Sequence, residues 1–243
     1  AEDSYAGKPD PVNWVKFAQE AEAVGIESVL LSFGSYEPDT LHIASAMGQH
    51  TQKLKFIAAY RMGLMQPTLF VQHVNTVSQF IQGRLAINVI AGSSPPEQRS
   101  YGDFLSHDER YARATEYLAI CNAFWRGDDP VNFEGKYCRV EGGKLHTPFF
   151  GKAGKGPELY VSGHSSGAQE LAAGQGHCWL RAIDTPSKLA PMVQNMRAQG
   201  REVCLRLCIV CRPTKAEAIA AAKALQEDAT TVKAVRQFIK KSD

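Results

Sequence analysis

Residues 159–173 combine a strand, a small-residue turn and a helix, an arrangement that can bind a phosphate. The apolar run Leu159–Val161 predicts a buried strand, and the residues after Gly167 are good helix formers. Such a turn directs unpaired helix N–H groups at an anion, and Ser165 and Ser166 could add hydroxyl donors. Taken alone, however, the pattern favours an ordinary helix capped by a serine.

A second polar cluster, residues 107–111, immediately precedes a predicted helix. His107 has the chemistry of a base or a ring-stacking group, and Tyr111 can donate a hydrogen bond. Asp108 and Glu109 are also the residues that the positive end of a helix favours. The local sequence therefore leaves both a functional and a helix-capping interpretation open.

Two polar residues stand inside apolar strand-like runs. Asn88 lies within the run 85–90, and Arg206 lies between Leu205 and Leu207. A buried amide or guanidinium needs a partner, because its unpaired burial costs free energy. A ligand is one candidate partner for each side chain; a neighbouring strand for Asn88 and a carboxylate for Arg206 are the alternatives.

Three of the six cysteines, Cys204, Cys208 and Cys211, have the spacing of an iron–sulfur cluster site. The extended pattern of residues 203–210 argues against a cluster, since it places Cys204 and Cys208 on one side of a strand and Cys211 on the other. We therefore expect buried structural thiols. The histidines lack metal-ligand spacing, so we expect no metal site.

Composition narrows the class of protein. The 243 residues are 44% hydrophobic and 21% charged, with a net charge of +2 and interleaved acids and bases. The absence of a basic stripe argues against nucleic acid as a partner. No apolar run has membrane-spanning length, and residues 1–5 do not resemble a signal peptide. Scattered cysteines are typical of reduced thiols, so we expect a cytoplasmic enzyme without a membrane partner.

Helical and strand patterns alternate along the chain. The predicted strands are 28–33, 54–60, 84–92, 159–161, 178–182 and 203–210. The predicted helices are 14–24, 40–47, 68–80, 110–125, 168–173, 186–199 and 216–225. Repeated strand–helix units predict a parallel sheet and favour a (β/α) barrel, whose active sites lie at the carboxyl ends of the strands. The side chains there are Glu37, Arg61, Asn88, Ser162, Arg181 and Arg206.

We expect a single domain over residues 1–243. The segment at about 127–156 interrupts the alternation and predicts an insertion that contains a hairpin. Six strands are too few for a closed barrel, so either the barrel is incomplete or the sequence is part of a longer chain.

Four stretches make the chain similar to the bacterial luciferase-like flavin monooxygenases, and most closely to their alkanesulfonate monooxygenase branch. They are Gly83–Ser93, Phe104–Tyr111, Phe133–Lys136 and Leu159–Ala173. The resemblance implies a (β/α)8 TIM barrel whose first strand would precede Ala1 and whose last strands would follow Asp243.

The resemblance also implies an activity. Members of the family use reduced FMN (FMNH2), supplied by a separate NAD(P)H:flavin reductase, and O2 as co-substrate to oxidise a small organic molecule. An alkanesulfonate or related organosulfur compound, and hence a role in sulfur metabolism, is one expectation. A homodimer or homotetramer is expected by the same analogy.

Site residues follow from the resemblance by position. Asn88 would contact the isoalloxazine edge, and His107 and Tyr111 would lie near the flavin or its phosphate chain. Gly163, Ser165 and Ser166 would hold the 5′-phosphate. Arg206 matches an active-site arginine suited to a sulfonate or to a peroxyflavin, and Arg206 and His107 are the expected catalytic residues. Glu37 and Cys208 stand where the sulfonate branch has a cysteine and a histidine, which makes flavin use a firmer expectation than sulfonate use.

Two other functions fit the same fold. One is an oxidoreductase that uses a deazaflavin (coenzyme F420), and the other is a flavin-binding protein without catalysis. The stretches Phe104–Tyr111 and Phe133–Lys136 favour the monooxygenase.

Overall fold

Six parallel strands form the main sheet of the computed structural model, which describes residues 9–151 and 155–227. Two further strands form a separate antiparallel pair. The strands are β1 (Ser28–Leu31), β2 (Lys55–Arg61), β3 (Leu85–Ile90), β4 (Val131–Glu134), β5 (Arg139–Gly143), β6 (Glu158–Ser162), β7 (Cys178–Ala182) and β8 (Glu202–Arg206).

Eight helices connect and cover these strands within the described part of the chain. They are α1 (Pro11–Ala23), α2 (Thr40–Gly48), α3 (Pro67–Phe80), α4 (Pro95–Ser100), α5 (His107–Arg126), α6 (Ser166–Gln175), α7 (Pro186–Ala198) and α8 (Lys215–Glu227). The short helix α4 is the one that the sequence pattern did not predict. It begins with two prolines and is too short to show helical periodicity.

The main sheet has the order β1-β2-β3-β6-β7-β8 and is a half-barrel. The prediction of strand–helix units on a parallel sheet is confirmed, but a closed (β/α)8 barrel is not what the described residues form. Closure needs every strand paired on both sides, and β1 and β8 each have one paired edge among the described strands.

Burial follows this layout. The central strands β2 and β3 are buried along nearly their whole length, as expected for strands covered on both faces. Helices α2, α3 and α5 pack a continuous core against them that includes Phe56, Phe70 and Tyr117. The edge strand β8 is largely exposed.

The exposure of β8 corrects the expectation of buried thiols. Cys204, Cys208 and Cys211 are all exposed, whereas Cys121, Cys138 and Cys178 are buried. The strand ends at Arg206 rather than at residue 210, so Cys208 and Cys211 lie beyond it. In the described residues, no cluster of His, Cys, Asp or Glu has metal-binding geometry.

The antiparallel pair β4–β5 lies in the segment 127–156 that interrupts the alternation. Glu116 on α5 holds this hairpin by accepting backbone hydrogen bonds from Tyr137 and Cys138 at 2.7 and 2.9 Å.

No helix among the described residues is both long enough and apolar enough to cross a membrane.

His177 fastens the amino-terminal ends of three strands. Its Nδ1 accepts a hydrogen bond from the backbone N–H of Leu159 at 3.0 Å. Its own N–H donates to the Leu159 carbonyl, and its carbonyl accepts from Glu202. Because Nδ1 is an acceptor here, the ring is held in its neutral form, and burial lowers the pKa of His177 below 6.5.

We predict that His177 makes stability fall in mild acid. Below its ordinary pKa of about 6.5 the unfolded chain binds a proton more readily than the folded protein, so stability decreases as the pH falls from there to the lowered pKa. His177→Asn keeps an acceptor at the same position but does not titrate. Its melting temperature should therefore depend less on pH between these limits than that of the unmodified protein.

The matched control is His50→Asn, which replaces a histidine whose ring makes no hydrogen bond within the described residues, unlike that of His177. It should retain the pH dependence of the unmodified protein. An equal slope for the His177→Asn and His50→Asn variants would contradict the prediction.

Candidate functional site

Strand register places four of the predicted polar side chains on one face of the half-barrel, which we call the concave face. Asn88 pairs with Ala59, two residues before Arg61, and with Tyr160, two residues before Ser162. Because strand side chains alternate between faces, Arg61, Asn88 and Ser162 share a face.

The same register extends the concave face to the edge strand β8. Ser162 pairs with Leu180, and Ala182, two residues later, pairs with Arg206. Arg206 is therefore on the concave face. Arg181 is on the opposite face, where its Cζ lies 5.6 Å from the centroid of the Trp179 ring.

Asn88 is buried and bonded across the sheet. Its Oδ1 accepts a hydrogen bond of 2.7 Å from the Ser162 hydroxyl. A neighbouring strand thus satisfies the amide oxygen, one of the two alternatives left open by the sequence. The amide nitrogen donates no hydrogen bond within the described residues, so it is free to bind a ligand on the concave face.

The turn between β6 and α6 presents free amides. Ser165 is the N-cap of α6, and its hydroxyl accepts from Ala168 N at 3.3 Å. The Gln169 amide donates to the Ser165 carbonyl. The amides of Ser166 and Gly167 have no acceptor within the described residues and carry the positive end of the ten-residue helix α6.

Tyr111 of α5 packs directly against this turn. A Cβ on Gly163, whose φ is +140°, would lie 2.8 Å from the Tyr111 hydroxyl and 2.7 Å from the Ala168 Cβ. A Cβ on Gly167 would lie 3.0 Å from the Tyr111 ring. The two glycines therefore permit the contact between the turn and α5.

A further contact completes the turn. Trp179 Nε1 donates to the Gly163 carbonyl at 2.8 Å, which fixes the turn to β7.

Burial raises the pKa of Tyr111 above its ordinary value, although its interaction with Ser165 opposes the rise. Tyr111 therefore stays protonated near neutral pH, as a hydrogen-bond donor must.

His107 and Tyr111 lie next to each other at the start of α5. Their ring centroids are 5.0 Å apart in an edge-on arrangement, and His107 Nδ1 is 2.9 Å from the Asp108 carboxylate. Ser106 and Glu109 form a reciprocal capping box. The capping interpretation thus holds for Glu109, while His107 remains half-exposed and available.

A cleft of about 460 Å³ opens between α5 and α6 beside the turn. Tyr111, Ser166 and Gly167 line the part of the cleft that borders the turn, and Thr115 and Gln175 line its far part. The free amide end of α6 is therefore accessible to a ligand.

Three of the predicted site residues lie at the edge strands of the sheet rather than beside this turn: Glu37, Arg206 and Cys208. Glu37 is half-buried in the loop after β1, at one edge of the sheet. Arg206 and Cys208 are exposed at the end of β8, at the other edge. The structure thus brings together Gly163, Ser165 and Tyr111, but it leaves Glu37 and Arg206 at opposite edges.

Sequence reasoning gave no role to a buried polar cluster at the ends of β2 and β3. Arg61 Nη2 is 3.0 Å from the Glu97 carboxylate, and Arg113 Nη2 is 2.6 Å from that of Asp103. Arg110 donates to the Ala91 carbonyl at 2.9 Å. The charged residues of 97–113 are far from Arg61 in sequence, and only their high density gave a signal.

The chain belongs to the luciferase-like monooxygenase family, whose sequence model it matches over residues 1–241. The fold is similar to that of EDTA monooxygenase from Chelativorans sp. BNC1, at a TM-score of 0.82 and 20% identity over 93% of this chain and 64% of that one.

Two further structures show the range of the fold. The FMN complex of the oxygenating constituent of 3,6-diketocamphane monooxygenase from Pseudomonas putida matches at a TM-score of 0.76 and 19% identity, over 99% of this chain and 76% of that one. An F420-dependent secondary alcohol dehydrogenase matches at a TM-score of 0.68 and 23% identity, over 81% of this chain and 64% of that one. The chain spans less than two thirds of the length of several such structures, including the EDTA monooxygenase.

We predict opposite effects of alanine at two glycines near this site. Gly163→Ala should destabilise the protein by about 1–3 kcal/mol, because its φ is unfavourable and its Cβ would meet Tyr111 and Ala168. Gly174→Ala, inside α6 with open space around the position, should stabilise it by about 0.5–1 kcal/mol. Urea denaturation of both variants measures the difference, and equal effects would contradict the close packing of the turn.

Proposed function

We propose that this protein is the oxygenating component of a two-component flavin monooxygenase that uses FMNH2 and O2 to oxidise a small organic substrate. The observation that carries the proposal is the β6–α6 turn. It combines two free amides, a helix N-terminus and two serine hydroxyls beside a protonated tyrosine, which is a donor set suited to a phosphate.

The residues present fit FMN. The Ser166 and Gly167 amides and the serine hydroxyls would hold the 5′-phosphate, and Tyr111 would donate to the phosphate or its ester chain. The Asn88 amide nitrogen would donate to the edge of the isoalloxazine, while its oxygen stays bound to Ser162. His107, half-exposed at the start of α5, would contact the flavin chain.

Reduced flavin, when bound, supplies the two electrons that let one atom of O2 enter the substrate and the other leave as water. The protein's part is to orient the ring and to exclude water. The concave face suits both tasks near β2 and β3, where apolar side chains surround Asn88.

Arg206 is proposed to bind the substrate. It lies on the concave face, and its guanidinium offers a planar, permanently charged fork that suits a sulfonate. Cys208, two residues after Arg206, would line the same side of the substrate site, and Glu37 would line the side formed by the opposite edge of the half-barrel. An alkanesulfonate or related organosulfur compound is the proposed substrate class.

Family analogy supplies the proposed partners, a separate NAD(P)H:flavin reductase and a second copy of the chain. The deazaflavin alternative gains support from the F420-dependent dehydrogenase with the same fold. Parallel titrations with FMN and with coenzyme F420 distinguish the two cofactors, and substrate turnover with reduced FMN distinguishes an enzyme from a flavin-binding protein.

We predict that Ser165→Asp weakens FMN binding and leaves riboflavin binding nearly unchanged. Aspartate is as good an N-cap as serine, so α6 should persist, but its carboxylate would repel the 5′-phosphate that riboflavin lacks. Fluorescence titration with both flavins measures the two affinities.

Thr185→Asp is the matched control, because it adds the same charge at the N-cap of α7. It should leave FMN binding intact. Equal losses of FMN and riboflavin affinity in the Ser165→Asp variant, or no loss of either, would refute the phosphate site.

We predict that Arg206→Lys folds normally, binds FMN normally and loses turnover. The exposed position tolerates lysine structurally. Losing the fork should lower turnover about ten- to a hundredfold, in keeping with the 1.5–3 kcal/mol of a hydrogen bond to a charged group. Steady-state kinetics of this variant and of Arg197→Lys, an exposed arginine on α7, test the role. Full turnover in the Arg206→Lys variant would assign Arg206 no part in the reaction.

A further inference from the structure

Arg61, at the end of β2, is a buried cation with only one of its three nitrogens bonded. Its side chain is 2% exposed, and Nη2 alone has a partner, the Glu97 carboxylate at 3.0 Å. Nε and Nη1 are buried without a partner among the described residues. The rings of Phe33 and Tyr101 each lie 5.3 Å from its Cζ, so they hold the guanidinium in place.

Gln98 brings a second set of unpaired groups to the same point. It is 1% exposed, and both its amide oxygen and its amide nitrogen are buried without a partner in the described chain. A Cβ on Gly92 would lie 2.9 Å from Arg61 Nε and 2.9 Å from Gln98 Nε2. The two donors therefore converge beside the glycine.

The surrounding charges leave an excess of one positive charge. Arg61, Arg110 and Arg113 face the carboxylates of Glu97 and Asp103. Arg110 donates hydrogen bonds to three backbone carbonyls, and Arg113 donates to both carboxylate oxygens of Asp103. Within the described residues Arg113 leaves only Nε without a partner, whereas Arg61 leaves both Nε and Nη1, so Arg61 has the most donors left for an anion.

Glu97 connects Arg61 to a neighbouring loop. Its Oε2 accepts from Arg61, and its Oε1 accepts from the Ser35 amide at 2.9 Å. The residue lies on the six-residue helix α4, so its carboxylate is tethered rather than diffusible. A carboxylate on this guanidinium shows which ligand chemistry the position accepts.

We propose that Arg61 and Gln98 form a subsite for the carboxylate or sulfonate group of a small organic acid, and that Glu97 occupies this subsite until the acid displaces it. The inference rests on the proposed function only in taking the concave face as the substrate face. The unpaired N–H groups of Arg61 and of the Gln98 amide nitrogen would then gain an acceptor, which offsets the cost of releasing Glu97.

Calorimetric titration without flavin tests the subsite directly. Acetate and methanesulfonate are the probes, with acetamide and dimethyl sulfone as their neutral counterparts. Glu97→Gln removes the competing charge, so it should tighten binding of both anions by about tenfold, the effect of about 1.4 kcal/mol. Arg61→Gln should abolish anion binding, and the neutral compounds should bind no better to either variant.

Glu141→Gln is the control, since it removes a carboxylate from an exposed ion pair on the hairpin. It should leave anion binding unchanged. Unchanged or weaker anion binding by the Glu97→Gln variant, or anion binding retained by Arg61→Gln, would overturn the subsite.

Amide exchange in the unmodified protein provides a second test that does not depend on a variant folding. Displacement of Glu97 removes the acceptor of the Ser35 amide, so saturating acetate should speed hydrogen exchange at Ser35, whereas acetamide should not. Exchange that acetate leaves unchanged would overturn the proposal. Neither measurement involves FMN, so a failed phosphate site and a failed anion subsite give separate results.

Discussion

The parallel register of the main sheet is the constraint on which the site depends. Each strand pairs with its neighbour so that Arg61, Asn88, Ser162 and Arg206 alternate onto the same face. A shift of one residue in any strand would move its polar side chains to the helix-covered face, where they would be buried without partners. The Asn88–Ser162 hydrogen bond of 2.7 Å is the direct contact that this register makes possible.

The β6–α6 turn depends on a second contact, between elements that are distant in sequence. Tyr111 of α5 fills the space that side chains at Gly163 and Gly167 would need. The turn is held on its other side by Trp179. Its free amides are therefore fixed in direction before any ligand binds, and such preorganisation lowers the entropic cost of binding.

Buried polar groups near the carboxyl end of β2 have fewer hydrogen-bond partners than a half-buried arginine just before β3. Arg84, which precedes β3, donates to three backbone carbonyls and a hydroxyl and leaves only Nε without a partner in the described chain. Arg61 and Gln98 instead remain short of partners although they are more deeply buried. Native proteins retain few unsatisfied buried groups, and those that persist are expected where binding requires them.

The strand–helix alternation, the family and the β6–α6 turn could be predicted from the sequence, because periodicity and small-residue turns are local properties. The sequence did not determine the exposure of Cys204, Cys208 and Cys211, since exposure depends on which strand lies at an edge. The packing of Tyr111 on Gly163, and the contact of Glu97 with Arg61 across 36 positions of chain, could be known only from the three-dimensional fold. Such contacts join residues that no local pattern relates, so they follow from the packing of whole elements rather than from the order of residues along any one of them.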